Sequence, residues 1–251
     1  MGVLGVEQRG AVALLRLHRP ERRNALDGAL VDALDATVAA LDDDPDVRAV
    51  VLAGAPPGFC AGSDLKELAG LSRAGMVRHE QRTGLVARRL QWASIPVLAA
   101  VEGFAIGGGF FLAASCDLVV SADDARWHLP EVPLGWVPPW GLQALVARAG
   151  PVVARRLVWG ADALPAGELH RLGVVDELVP PGTAEAHAVE LAQRLAALPP
   201  HAVASTKRAL ADAVTGPAEA LDARTARQFG DDAGTADARA TFERYAGRVA
   251  G

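Results

Sequence analysis

The chain alternates between short unbroken apolar runs and longer stretches in which apolar positions recur at helical spacing. The runs lie at Gly2 to Val6, Ala11 to Leu17, Val47 to Ala53, Ile95 to Val101, Leu118 to Ser121 and Val174 to Val179. Several are continuous Val, Leu and Ala, as strands covered on both faces tend to be. Between them, Asp27 caps a predicted helix whose apolar positions Leu30, Val31, Leu34, Val38 and Leu41 share one face, and Asp42-Asp43-Asp44-Pro45 stops it. A second helix is predicted from about Ala74 to Trp92, ended by Ile95-Pro96. This alternation predicts an α/β fold with repeated right-handed crossovers. From Pro181 onward only helical segments remain: Glu185 to Leu198, Ala202 to Val214, Ala218 to Phe229 and Thr235 to Ala246. The expected organisation is an α/β core over residues 1–180, holding the active site, and a helical region over 181–251 that packs on this core or on a neighbouring subunit.

Composition narrows the function classes. With 251 residues, 51% hydrophobic and 22% charged, the chain is globular and long enough for a sizeable core. A net charge of −5 gives no broad positive field, which argues against nucleic acid or an anionic membrane as the main partner. Two cysteines, Cys60 and Cys116, build neither a disulfide framework nor a four-ligand zinc site, so a reducing cytoplasm and no metal are expected. Glu7 and Arg9 interrupt the start before an export signal forms, and the apolar run Gly103 to Cys116 is shorter than the roughly 20 residues of a membrane span.

Chemistry enters at two glycine turns. Ala99 to Ala114 reads as a strand, a Gly-rich turn at Gly107-Gly108-Gly109 and a helix opening on it. Such a helix start offers unpaired N–H donors and partial positive charge to a phosphate, a carboxylate or a developing oxyanion. A tight turn with close helix packing is the other reading of the triplet. Neither Gly-x-Gly-x-x-Gly nor a Walker Gly-Lys-Ser/Thr follows, so nucleotide binding has little support. The turn Gly58-Phe59-Cys60-Ala61-Gly62-Ser63-Asp64 follows the run Val47 to Ala53 in the same manner, so the two turns could aim two N–H groups at one point.

Five stretches in order, HRPERRNAL at 18–26, GFCAGSDLKEL at 58–68, VEGFAIGGGFFLAASCDLVVSADDARW at 101–127, PEVPLGWVPPWG at 130–141 and STKRAL at 205–210, resemble the crotonase (enoyl-CoA hydratase/isomerase) superfamily over nearly the whole chain. The resemblance implies a spiral α/β core of stacked ββα units, C-terminal helices, and a homotrimer or dimer of trimers. It implies an acyl-CoA thioester as substrate, with coenzyme A carried by the substrate and no other cofactor. It also implies an oxyanion hole from the backbone N–H groups of Ser63 and Gly108. For coenzyme A it points to Arg22 for a phosphate and to the main chain of Asn24, Ala25 and Ala61. Arg244, in a shortened form of the family's terminal basic motif, is a weaker match.

The departure from the family pattern is chemical. Hydratases of the family carry glutamates at the positions of Phe111 and Glu131, so that paired carboxylates activate water and deliver a proton. Here only Glu131 remains. A single carboxylate beside an oxyanion hole suits proton removal and return next to a thioester, which makes an enoyl-CoA double-bond isomerase the leading reading. A hydratase with another acid, a decarboxylase or carboxymethylproline synthase-like enzyme, and a non-catalytic acyl-CoA-binding subunit are the alternatives. Apolar neighbours of Glu131 predict partial burial and a raised pKa. Phe110, Phe111, Trp136 and Trp140 are candidates for an apolar pocket or for ordinary core packing. His128 is a candidate for the pocket or a structural residue.

Overall fold

The computed structural model describes residues 2–160 and 162–247, so the end of the C-terminal region, 248–251, lies outside the described residues. The chain opens with strands β1 (Leu4–Arg9) and β2 (Val12–Leu17), an antiparallel hairpin turned at Gly10 with φ +64°. Helix α1 (Gly28–Asp43) follows, capped by Asp27, whose carboxylate accepts from the Leu30 amide at 2.8 Å. Its five predicted apolar positions are all buried.

A repeating path then begins. Strand β3 (Ala49–Gly54) leads through a turn to α2 (Leu65–Ala69), and the long α3 (Arg73–Trp92) returns the chain. Strand β4 (Val97–Val101) leads to β5 (Phe104–Ile106) and α4 (Gly108–Ala114). Strand β6 (Leu118–Ala122) leads to β7 (Arg126–His128) and the short α5 (Glu131–Leu134). Beyond these come α6 (Leu142–Trp159), kinked at Gly150-Pro151, then β8 (Leu164–Pro165), α7 (Ala166–Arg171) and β9 (Glu177–Val179). Helices α8 (Ala184–Ala196), α9 (Pro200–Thr215), α10 (Ala218–Asp232) and α11 (Ala236–Gly247) complete the chain.

The first strand of each turn enters a six-stranded sheet ordered β1-β2-β3-β4-β6-β9, parallel except for the opening hairpin. The second enters a three-stranded sheet ordered β5-β7-β8, extended by a bridge between Cys60 and Ala105. This is the spiral of ββα units that the resemblance implies. Its smaller sheet escapes the apolar-run pattern because its strands are three residues or fewer. The pattern also overextends the last strand: Val174 and Val175 are buried but lie outside β9.

Alternation within the large sheet explains its unbroken apolar runs. Leu15, Val50, Leu52, Val97, Ala99 and Val119 face a core shared with α1, α3, α4 and α6. Leu14, Val51, Ala53, Leu98, Ala100 and Val120 face Ala188, Val189 and Ala192 of α8. A third cluster joins α2 and α3 to Trp136, Phe229, Ala238 and Phe242, so the C-terminal helices pack on the core. No helix among the described residues is long and apolar enough to cross a membrane.

Asn24 staples the approach to the second turn. Fully buried at φ +55°, it donates through Nδ2 to Ala55 O (2.6 Å) and Gly58 O (2.8 Å), while its Oδ1 accepts from the Arg19 amide (2.9 Å). Asn24→Ala leaves two buried carbonyls and the part-buried Arg19 amide without their partner and places a Cβ residue less tolerant of that φ than Asn. The expected loss is on the order of 3 kcal/mol, since an unsatisfied buried group costs about 1–3 kcal/mol. Urea unfolding reads it, and a change below about 0.5 kcal/mol, the range of an ordinary surface substitution, contradicts the staple.

Candidate active site

Three successive turns of the spiral deliver three groups to one edge. Each group stands at or just before the start of the helix that follows the inner strand: Ser63 before α2, Gly108 opening α4 and Glu131 opening α5. Registry between turns is held by backbone hydrogen bonds. Ile106 N donates to Cys60 O at 3.0 Å and Gly107 N to His128 O at 2.8 Å. Ser63 is fixed further by Asp64, which caps α2 through the amides of Lys66 and Glu67 and is held by Arg19 at 3.1 Å.

The two glycine turns touch. A Cβ on Gly62 would lie 2.9 Å from Gly108 N, and one on Gly108 would lie 3.5 Å from Ser63 N. Gly109 has no room for a side chain, since its Cβ would meet Cys60 O at 2.2 Å. Gly107, at φ +55°, would place a Cβ 3.0 Å from Glu131 Oε1. The glycines therefore bring two amides and a carboxylate together over bare backbone. Neither the Ser63 nor the Gly108 N–H donates to another group among the described residues. Two adjacent free donors at helix starts suit an oxygen that gains negative charge.

Glu131 is 6% exposed, and its Oε2 has no hydrogen-bond partner among the described residues. Burial pushes its pKa up to about 8; the helix-start amide opposes this and the neighbouring Glu80 carboxyl adds to it. Such a group gains a proton readily and loses it near neutral pH, as a general base requires.

A cavity of about 60 Å³, the size of one or two water molecules, is lined by Ser63, Gly108, Glu131, Phe111, Trp136 and Trp140, among others. Phe229 of α10 closes it, so the C-terminal region contributes to the wall. A larger cleft of about 660 Å³ also borders Trp136 but contains none of Ser63, Gly108, Glu80 or Glu131. The candidate groups line the smaller one. Trp136 is fixed there by Phe242, stacked at 5.1 Å, and by Phe229, edge-on at 5.9 Å.

Not every candidate reaches this cavity. Phe110 turns into the core, where it meets Trp127 edge-on at 5.1 Å, and His128 is not among the lining residues. Cys116 is buried, with its thiol pushed up to about 12 by burial. In the Arg19-Arg22-Arg23 group, Arg19 pairs with Asp27 and Asp64, and Arg23 stands over the Phe104 ring at 4.4 Å. Arg22 is exposed and makes no side-chain contact of these kinds among the described residues. The amides of Asn24, Ala25 and Ala61 already donate to the Arg19, Arg22 and Arg23 carbonyls, and of these three residues Ala61 also lines the cavity. Arg244 donates to the Thr241 hydroxyl at 2.9 Å.

One ionisable lining residue is absent from the sequence-based candidates. Glu80, on α3, is 2% exposed and accepts a hydrogen bond from Trp140 Nε1 at 2.8 Å. Burial raises its pKa against smaller opposing effects of His79, the Ser63 hydroxyl and the Trp140 indole. Its signal in the sequence is positional: the predicted helix puts this carboxylate on the face that carries Met76, Thr83, Gly84 and Ala87.

Residues 7–249 match the family model described as enoyl-CoA hydratase/isomerase. The chain is 36% identical over 211 residues to the 2,3-dehydroadipyl-CoA hydratase of Escherichia coli, covering 84% of this chain and 82% of that protein. It is 34% identical over 207 residues to the short-chain-enoyl-CoA hydratase of Clostridium acetobutylicum, covering 82% and 79%. The crystal structure of an enoyl-CoA hydratase/isomerase from Mycobacterium paratuberculosis superposes with a TM-score of 0.88 at 28% identity, covering 97% of this chain and 98% of that one.

Proposed function

Since the chain belongs to the enoyl-CoA hydratase/isomerase family and is an acyl-CoA-processing enzyme, we propose that it moves the double bond of an enoyl-CoA thioester through a stabilised enolate. The observation that carries this reading is the Glu131 carboxyl, its Oε2 without a partner among the described residues, sharing a small cavity with the Ser63 and Gly108 turns, with Phe111 in the wall. The thioester oxygen binds the two amides. Glu131 removes a proton from the α carbon, and the electron pair moves onto that oxygen. Reprotonation at the γ carbon restores the thioester carbonyl with the double bond shifted. Each amide bond strengthens as the oxygen becomes anionic, which is where oxyanion donors act. Arg22 is the side chain offered for a coenzyme A phosphate. A homotrimer or dimer of trimers is part of the same proposal, and light scattering checks it.

Hydration is the second reading. It is favoured by Glu80, a second carboxyl in the cavity, and by the hydratase names of the two curated relatives. The wild-type product decides. With 2-enoyl- and 3-enoyl-CoA in deuterated water, mass spectrometry should find double-bond migration and exchange of α or γ protons, with little 3-hydroxyacyl-CoA. Efficient 3-hydroxyacyl-CoA formation, surviving controls for a contaminating hydratase, overturns the isomerase reading in favour of a hydratase. Release of carbon dioxide from a malonyl-type thioester points to a decarboxylase.

A further inference from the structure

A glutamate inside a protein is costly unless something compensates it. Glu80 is nearly inaccessible and forms no ion pair among the described residues. Its carboxyl accepts from the Trp140 indole at Oε2 and from the Ser63 hydroxyl, and a neutral glutamine would accept the indole bond equally well. Trp140 is positioned independently of it: its ring lies 5.9 Å from Phe111, and α3 reaches it at Gly84, where a Cβ would come within 3.0 Å of Trp140 Cβ. Packing therefore does not require the carboxyl. What the carboxyl does gain is a place in the lining of the Glu131 cavity, beside Ser63.

We propose that Glu80 is a second catalytic residue of this site, the proton donor that complements Glu131, supplied from α3 because position 111 carries no carboxylate. The proposal rests on the enolate reading above. Two carboxyls in one small buried cavity do not both ionise readily, so the ionised member serves as base while the other keeps its proton. In double-bond migration, the Glu131 carboxylate takes the α proton and the electron pair moves onto the oxygen held by Ser63 and Gly108. The Glu80 O–H then gives its proton to the γ carbon as the carbonyl reforms, leaving Glu131 protonated and Glu80 ionised. Exchange with water restores the starting protonation after product leaves. No net proton or electron is gained. The same pair could serve addition of water, with one carboxyl activating the water and the other protonating the α carbon.

Glu80→Gln separates this role from a structural one, because it keeps an acceptor for the Trp140 indole and removes the exchangeable proton. The variant should fold with a Tm at or above that of wild type. Its kcat should fall about 10- to 100-fold, with KM within a few-fold. In deuterated water, wild-type product should carry a solvent deuteron at the γ carbon in every turnover, while residual turnover of the variant should carry the substrate's own proton across on Glu131. An unchanged kcat in the folded variant overturns the proposal, as does wild-type product that keeps its own proton. If Glu80→Gln does not fold, the wild-type deuterium pattern decides alone. If wild type isomerises and the variant matches it, only the Glu80 role fails. If wild type hydrates and the variant does not, the Glu80 role stands and the isomerase reading fails. A wild-type protein inert toward every thioester tested overturns both.

Discussion

Replacing Glu131 with Gln should lower kcat by about 10²–10⁴, the usual range for loss of a general base, while KM changes little because shape and cavity are kept. The pH dependence should identify the same group. A base must be ionised, and Glu131 sits with its pKa pushed up to about 8, so, ahead of a fall where the Glu80 proton donor ionises, wild-type kcat/KM should rise with pH through that value. In the variant this limb should vanish. Stability should move the opposite way. Between the ordinary carboxyl value of 4.5 and about 8, the folded state holds a proton that the unfolded chain has released. Rising pH therefore draws the equilibrium toward the unfolded chain, by up to about 1.4 kcal/mol per pH unit across that window. The amide introduced by Glu131→Gln cannot ionise, so the variant should grow more stable than wild type as pH rises from 5 to 8, by on the order of a few kcal/mol in urea unfolding. An equally active Glu131→Gln protein with the wild-type pH profile removes Glu131 from the mechanism.

The large sheet and α1 were legible because their rule is local. Leu30, Val31, Leu34, Val38 and Leu41 repeat at helical spacing and are all buried, and the apolar runs are strands split between two cores. The small sheet was not legible: Arg126-Trp127-His128 has no apolar run, and its pairing with β5 is set by the turn before it. The spiral itself leaves no repeat in the sequence, because what recurs is a backbone position at a helix start. Ser63, Gly108 and Glu131 occupy equivalent places with unrelated side chains. The two glycine turns pointed toward a shared target on their own, but that Glu131 joins them was readable only through the resemblance, which reaches those positions one by one. Glu80 lies outside the quoted motifs and escaped for that reason, although its place on the buried face of α3 marks it. Phe110 and Phe111 show the limit of composition. Adjacent on α4 and equally buried, one meets Trp127 in the core and the other lines the cavity beside Trp140, a difference set by the helical turn of about 100° between them.

Gly108→Pro should reduce kcat by at least about 10²–10³, the loss associated with one oxyanion donor. Gly108 opens α4, where a proline φ is compatible with the helix and no intrahelical bond is lost, so the substitution removes the N–H without breaking the ladder. The added carbons are the complication: a Cβ there would lie 3.1 Å from Trp140 Cζ2, so the ring must give by a few tenths of an ångström, and the proline Cδ takes the place of the amide hydrogen. Gly108→Ala isolates the Cβ contact, because it adds the same Cβ and keeps the amide. The comparison that matters is therefore Pro against Ala, at matched Tm and oligomeric state. If the amide holds the thioester oxygen, Gly108→Ala keeps most of its turnover while Gly108→Pro loses it in kcat, since the missing bond is strongest when the oxygen carries negative charge. Equal losses in the two variants would assign the effect to crowding of Trp140. Turnover of a folded Gly108→Pro protein within a few-fold of Gly108→Ala would remove this amide from the oxyanion hole and leave Ser63 as its sole backbone donor.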